Sequence, residues 1–190
     1  MSTATRFCRI CKKEIESNSW RSVVFGGEHI CQRCYYELKP RFSPIVIADV
    51  SGYSLYSNSE KINGVLQSFL SGRDKKLGPV LFSYAAKLFY LRFHNYLILP
   101  LPEDEAEGDE NITKEIFAPF GFRVLDAFRE DVVEKDGEPI VRLSLAKGIP
   151  LNKNVILFRS KPVSKNVKIA FELVKKAGAR NVLCFFLVGS

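Results

Sequence analysis

Apolar residues in this chain gather into short runs separated by turn-forming residues, and the last 36 positions show the pattern most plainly. Val155 to Phe158 and Val182 to Val188 are too continuously apolar for strands with one wet face, so they predict buried central strands. Between them Val167, Ala170, Phe171 and Val174 recur at i, i+3, i+4 and i+7; Ser164 is placed as an N-cap and Gly178 falls where a helix would end. The result is a βαβ unit. In open parallel sheets ligands bind beyond the carboxyl ends of the strands, often on the N-terminus of the following helix. The loop Arg159 to Lys165 is therefore where a site is expected.

Further upstream, Ile45 to Val50 and Tyr53 to Tyr56 read as strand, with Gly52 as a bend or bulge between them. Ser57-Asn58-Ser59-Glu60 has capping-box spacing ahead of a helix that carries Ile62, Val65, Leu66, Phe69 and Leu70 on one face, with Gly72 past its end. Asp74 to Lys76 forms a charged turn. From Pro79 to Phe93, 11 of 15 residues are apolar around the whole helical circumference, which predicts a helix buried between the sheet and either the N-terminal module or another subunit. Its aromatics Tyr84, Phe89, Tyr90 and Phe93 read as core, with a stacking platform for bases as the alternative. Tyr96 to Leu99 is a buried strand closed by Pro100-Leu101-Pro102. Glu103 to Glu110 holds six acids in eight residues with no counter-charge, a solvated loop unless a few of its carboxylates are held rigidly for acid/base work or Mg²⁺. Ile112, Ile116 and Phe117 predict a short helix, Phe122 to Leu125 a strand, and Ile140 to Leu145 another after the turn Lys135 to Pro139.

The strongest chemical motif is N-terminal. Cys8-Arg9-Ile10-Cys11 and Cys31-Gln32-Arg33-Cys34 are two C-x2-C knuckles separated by 19 residues, the spacing of a four-cysteine zinc ribbon. Each knuckle presents two sulfurs on one side of a tight turn, and four soft ligands leave no vacant position, so the metal is expected to be structural. Disulfides are the competing reading. Trp20, Val23, Val24 and Phe25 before Gly26-Gly27 fit a hairpin between the knuckles. His29 reads as a surface residue, and Tyr35, Tyr36 and Leu38 open a short helix stopped by Pro40 and Pro44. This divides the chain into a zinc module, 1–42, and an α/β domain, 43–190. Cys184 reads as a buried packing thiol.

Composition narrows the class. With 190 residues, 46% hydrophobic, and mean hydropathy of −0.03, the chain can bury a sizeable core. No stretch reaches the ~20 apolar residues of a membrane helix, and the N-terminus shows no apolar secretory signal, so a cytoplasmic location with reduced thiols is expected. The net charge of +7 is uneven: residues 152–190 hold 8 Lys+Arg against 1 Glu, whereas residues 43–151 hold 12 against 16 acids. A basic C-terminal unit fits contact with phosphates or a merely solvated helix face.

Taken in order, these parts resemble the ComF (ComFC) family of competence-associated proteins. The resemblance runs through the Cys8/Cys11/Cys31/Cys34 quartet with Tyr35-Tyr36-Glu37-Leu38, then Tyr53-Ser54-Leu55-Tyr56, Leu99-Pro100-Leu101-Pro102, and Lys153 to Leu157 leading to Ala177 to Val182. It implies an α/β fold like that of type I phosphoribosyltransferases: a parallel sheet flanked by helices, whose final βαβ unit binds phosphoribosyl pyrophosphate through two acids and a Thr-Thr-Gly-x-Thr loop. Here Arg159 and Ser160 stand where the acids belong, and Val163 to Asn166 where Thr-Thr-Gly-x would be; only Ser164 matches in kind. The pyrophosphate segment appears as Gly108 to Asn111, of which only Asn111 matches. The expectation is a non-catalytic accessory protein of DNA uptake that uses neither Mg²⁺ nor phosphoribosyl pyrophosphate, with a competence helicase, single-stranded DNA or a second copy as partners. Arg159, Ser160, Lys161, Ser164 and Lys165 are its candidate phosphate or nucleic-acid contacts. An active phosphoribosyltransferase with an atypical loop, and a nucleic-acid-binding zinc ribbon, are the alternatives.

Overall fold

The computed structural model describes residues 7–15, 30–38, 40–70, 77–102, 112–135, 138–146, 152–162 and 164–189. The hairpin expected at Trp20 to Gly27, Gly72, the turn 74–76 and the acidic run 103–110 lie outside them. In chain order the elements are α1 (Gln32–Glu37), β1 (Ser43–Ile47), β2 (Val50–Tyr56), α2 (Glu60–Leu70), α3 (Leu77–Phe93), β3 (Tyr96–Pro100), α4 (Ile112–Phe117), a 3₁₀ turn (Ala118–Phe120), β4 (Phe128–Lys135), β5 (Glu138–Leu145), β6 (Asn154–Arg159), α5 (Ser164–Lys176) and β7 (Asn181–Val188).

Five strands form one sheet in the order β1-β2-β7-β6-β3, with β2, β7, β6 and β3 parallel and β1 antiparallel at the edge. Strand alternation divides the apolar runs between two cores. On one side Ile156, Phe158, Phe185 and Ile98 meet α2, α3 and α4 through Leu66, Phe69, Phe82, Phe89 and Phe117. Across the sheet Val155, Leu157, Cys184, Phe186 and Leu99 meet α5 through Val167, Ala170 and Val174, with Leu143 of β5 completing the layer. Covered on both faces, the central strands have no wet side, which is why their sequence does not alternate.

The βαβ unit is present as its periodicity predicts: α5 buries Val167, Ala170 and Val174, and Gly178 takes φ +94° past its end. Several expectations upstream need correction. The break between β1 and β2 falls at Ala48 and Asp49, both at positive φ (49° and 66°), as a two-residue hairpin turn of the primed type requires. Gly52 instead lies inside β2, where an added Cβ would meet the Cys184 carbonyl oxygen at 2.4 Å. The α2 cap sits two residues later than the capping box implied: the Ile62 amide donates to Ser59 Oγ at 3.3 Å. Phe122 to Leu125 makes only one bridge, Val124 with Ile98, because the chain turns away after the Leu125 amide donates to the Ile98 carbonyl. No apolar periodicity marks the strand β4, since five of its eight residues are charged and it pairs only with β5. Finally, α3 is not buried all round: Leu88, Tyr90 and Leu91 are exposed.

Candidate functional sites

The cysteine quartet forms a compact cluster. All four sulfurs lie within 4.8 Å of one another, and Cys11 Sγ stands 3.6 Å from Cys31 Sγ. A tetrahedral ion with bonds of about 2.3 Å sets its sulfurs about 3.8 Å apart, so the donors fit a single soft metal ion. Among the described residues no cysteine is in a disulfide. The first knuckle closes through the Lys12 amide donating to the Cys8 carbonyl at 2.8 Å and the Cys8 amide to the Lys13 carbonyl at 2.7 Å, with Lys12 at φ +59°. Burial pushes the Cys8 thiol up, but the backbone amides of Cys11, Cys31 and Ile10 outweigh it and bring it down to about 7. Burial and the neighbouring sulfurs instead push Cys34 up to about 12. The backbone amides thus favour the thiolate at Cys8, whereas burial favours the thiol at Cys34.

The second candidate lies at the carboxyl edge of the sheet. There the Leu101 amide donates to the Phe158 carbonyl, the Val188 amide to the Ser160 carbonyl, and the Gly189 amide to the Tyr56 carbonyl, at 2.8, 3.0 and 2.8 Å. These bonds extend the ladder past β6 and draw Ser160 inside. Arg159 is not part of an open loop, as the sequence implied, but closes β6 with 1% of its surface exposed, its Nε and Nη2 shielded from solvent; Ser160 is fully buried. In register, Arg159 stands beside Phe186, and Phe186 beside Ser54, itself buried, so two polar residues flank an aromatic on this row of the sheet. Lys161 is half-buried, and Ser164 and Lys165 occupy the first two positions of α5, their side chains outside the described residues.

A carboxylate that motif reading passed over faces the same helix start. Glu130 of β4 accepts a bond from Asn166 Nδ2 at 3.2 Å, and Asp49 from the β1–β2 turn pairs with Lys168 at 3.1 Å. Both depend on strands distant in sequence, so no local motif signals them. The basic start of α5 therefore has acids at its side.

No known protein-family model matches the chain, and no curated protein matches it. Among solved structures it is similar to a purine phosphoribosyltransferase from Pyrococcus horikoshii Ot3, at 13% identity and TM-score 0.39 over 56% of this chain and 77% of that one. It is also similar to a hypoxanthine phosphoribosyltransferase from Staphylococcus aureus, at 12% identity and TM-score 0.40 over 92% of this chain and 73% of that one. What this chain does is therefore read from its own residues.

Proposed function

We propose that this is a ComF-like, non-catalytic relative of the type I phosphoribosyltransferases, an accessory of DNA uptake that works through protein contacts and the phosphates of single-stranded DNA. Zinc at the quartet holds the module 1–42 together, and Lys161 in the loop before α5 and Lys165 at its start supply the phosphate contacts. The observation that carries this reading is the end of β6. A ribose diol must be gripped by acceptor oxygens, whereas the guanidinium of Arg159 only donates, and Arg159 and Ser160 are both sealed inside the fold. Val163 offers no hydroxyl and Pro162 no amide for a phosphate cradle.

The test is a pair of titrations on one sample, phosphoribosyl pyrophosphate with Mg²⁺ and single-stranded DNA. The expected outcome is no heat from the sugar diphosphate at millimolar concentration and salt-sensitive binding of DNA. Replacing Lys161 and Lys165 by Ala should weaken DNA binding and lower the salt slope by about 1.4, at ~0.7 per phosphate contact on a single strand. Mg²⁺-dependent heat from the sugar diphosphate would instead favour a transferase with an atypical loop. DNA affinity untouched by the double substitution would move the contact to the cysteine module.

A further inference from the structure

Helix α3 carries two apolar stripes, and the described fold covers one. Phe82, Ala85, Phe89 and Phe93 pack into the core. On the other side Leu88 is 62% and Leu91 77% exposed, with Tyr90 at 50% beside them. Single exposed leucines are ordinary, but these occupy adjacent positions on one turn. In the sequence Leu77, Leu81 and Tyr84 lead up to Leu88 and Leu91 at intervals of four, three, four and three. That is the 3.5-residue repeat of a helix–helix seam. Against this ridge runs an apolar groove of ≈ 390 Å³ lined by Ala86, Tyr90, Leu91 and Phe120, wide enough to take a large apolar side chain.

Charge selects the occupant. Helix α3 contains Lys87 and Arg92 and no acid, and His94 follows at once. On the heptad of the exposed stripe Lys87 and Arg92 fall on opposite flanks, the positions that set partner choice in paired helices. Arg92 is exposed yet held in place: its Nη2 donates to the Tyr53 hydroxyl at 3.2 Å and its guanidinium lies 5.2 Å from the Tyr53 ring centre. A second copy would set cation against cation, whereas a helix with acidic flanks would meet the held Arg92 on one flank and the lysine at position 87 of the sequence pattern on the other. We propose that the outer face of α3 is the docking surface for an amphipathic helix of another protein, apolar at three- and four-residue spacing and flanked by Asp or Glu. Helix-in-groove recognition places successive apolar anchors in this way. The surface is distinct from the α5 loop, so either assignment can fail without the other.

The experiment uses the full chain and two dye-labelled synthetic peptides of about three heptads, Leu at the seam and either Glu or Lys on the flanks. By fluorescence anisotropy the Glu peptide should bind about tenfold tighter than its Lys twin, a difference of about 1.4 kcal/mol, and should weaken as salt rises. The double substitution Leu88→Ser and Leu91→Ser should cost about tenfold or more in affinity with the melting temperature unchanged, since both side chains already face solvent. Lys87→Glu should narrow the preference. Equal binding of the two peptides, or binding of neither, overturns the proposal. So does a sedimenting dimer that Leu91→Ser abolishes, which would make the occupant a second copy, or an oligonucleotide whose binding that substitution abolishes, which would make it nucleic acid.

Discussion

Gly52 and Gly64 show how the same residue type answers to different constraints. Gly52 has Cys184 against its α carbon, and Gly64 on α2 has nothing within 4 Å of where a Cβ would stand. Gly52→Ala should destabilise by about 1–3 kcal/mol or more, because β2 and β7 must separate to admit the methyl. Gly64→Ala should stabilise by about 0.5–1 kcal/mol by removing backbone freedom from the unfolded chain. Urea denaturation of the two variants checks both signs. Cys184 itself, 1% exposed, has its thiol pushed up to about 12 by burial. It should resist alkylation at pH 8 until the protein unfolds. An acid raised above its unfolded value of 9.0 stabilises fully below pH 9, and that contribution is lost as pH climbs from 9 toward 12. Denaturation midpoints of the wild type and Cys184→Ala over that window should converge on, or move past, one another as the thiol ionises in the unfolded chain.

Helix ends and knuckles carry the next level of organisation. Ser59→Ala removes the acceptor that satisfies the Ile62 amide and should cost about 1 kcal/mol, whereas Ser57→Ala should cost much less. Stability curves of the two variants distinguish this cap from the earlier one that Ser57-Asn58-Ser59-Glu60 implies. The cysteine cluster surrounds a minute core of Cys8, Ile30 and Cys34, with Ile10 and Ile15 against it. Among the described residues this cluster buries little apolar surface of its own, so a metal bound by the four sulfurs would add directly to its stability. Elemental analysis should give one zinc per chain, and Cys34→Ser should lose it. The β4–β5 hairpin has the opposite character: Val132 is 72% exposed, and among the described residues Leu143, with Phe128 and Leu145 beside it, and the Asn166–Glu130 bond tie it to the core.

Across the molecule, the segment that carries the cysteines packs on the α/β core. Leu38 is buried in the same cluster as Leu55 and Phe89, with Ile10 packed against it. The Arg41 amide donates to the Leu55 carbonyl at 2.8 Å, and Glu37 pairs with both Arg33 and Lys61. Metal removal by a chelator should therefore lower the melting temperature of the whole chain, followed by circular dichroism of the sheet, instead of producing a separate early transition from the module alone.

The βαβ unit, the amphipathic α2 and the cysteine quartet could be read directly from residue order, because each rests on a local pattern: unbroken apolar runs for the buried strands, three to four positions for a helical turn, three for a knuckle. Neither the depth of Arg159, nor the need for glycine at 52, nor the acids beside α5 could be. Those follow from which strand lies next to which and in what register, and register joins residues more than a hundred positions apart, as it does Gly52 and Cys184. A basic residue after an apolar strand reads as a solvent-facing ligand until the ladder is seen to continue past it and carry it inside.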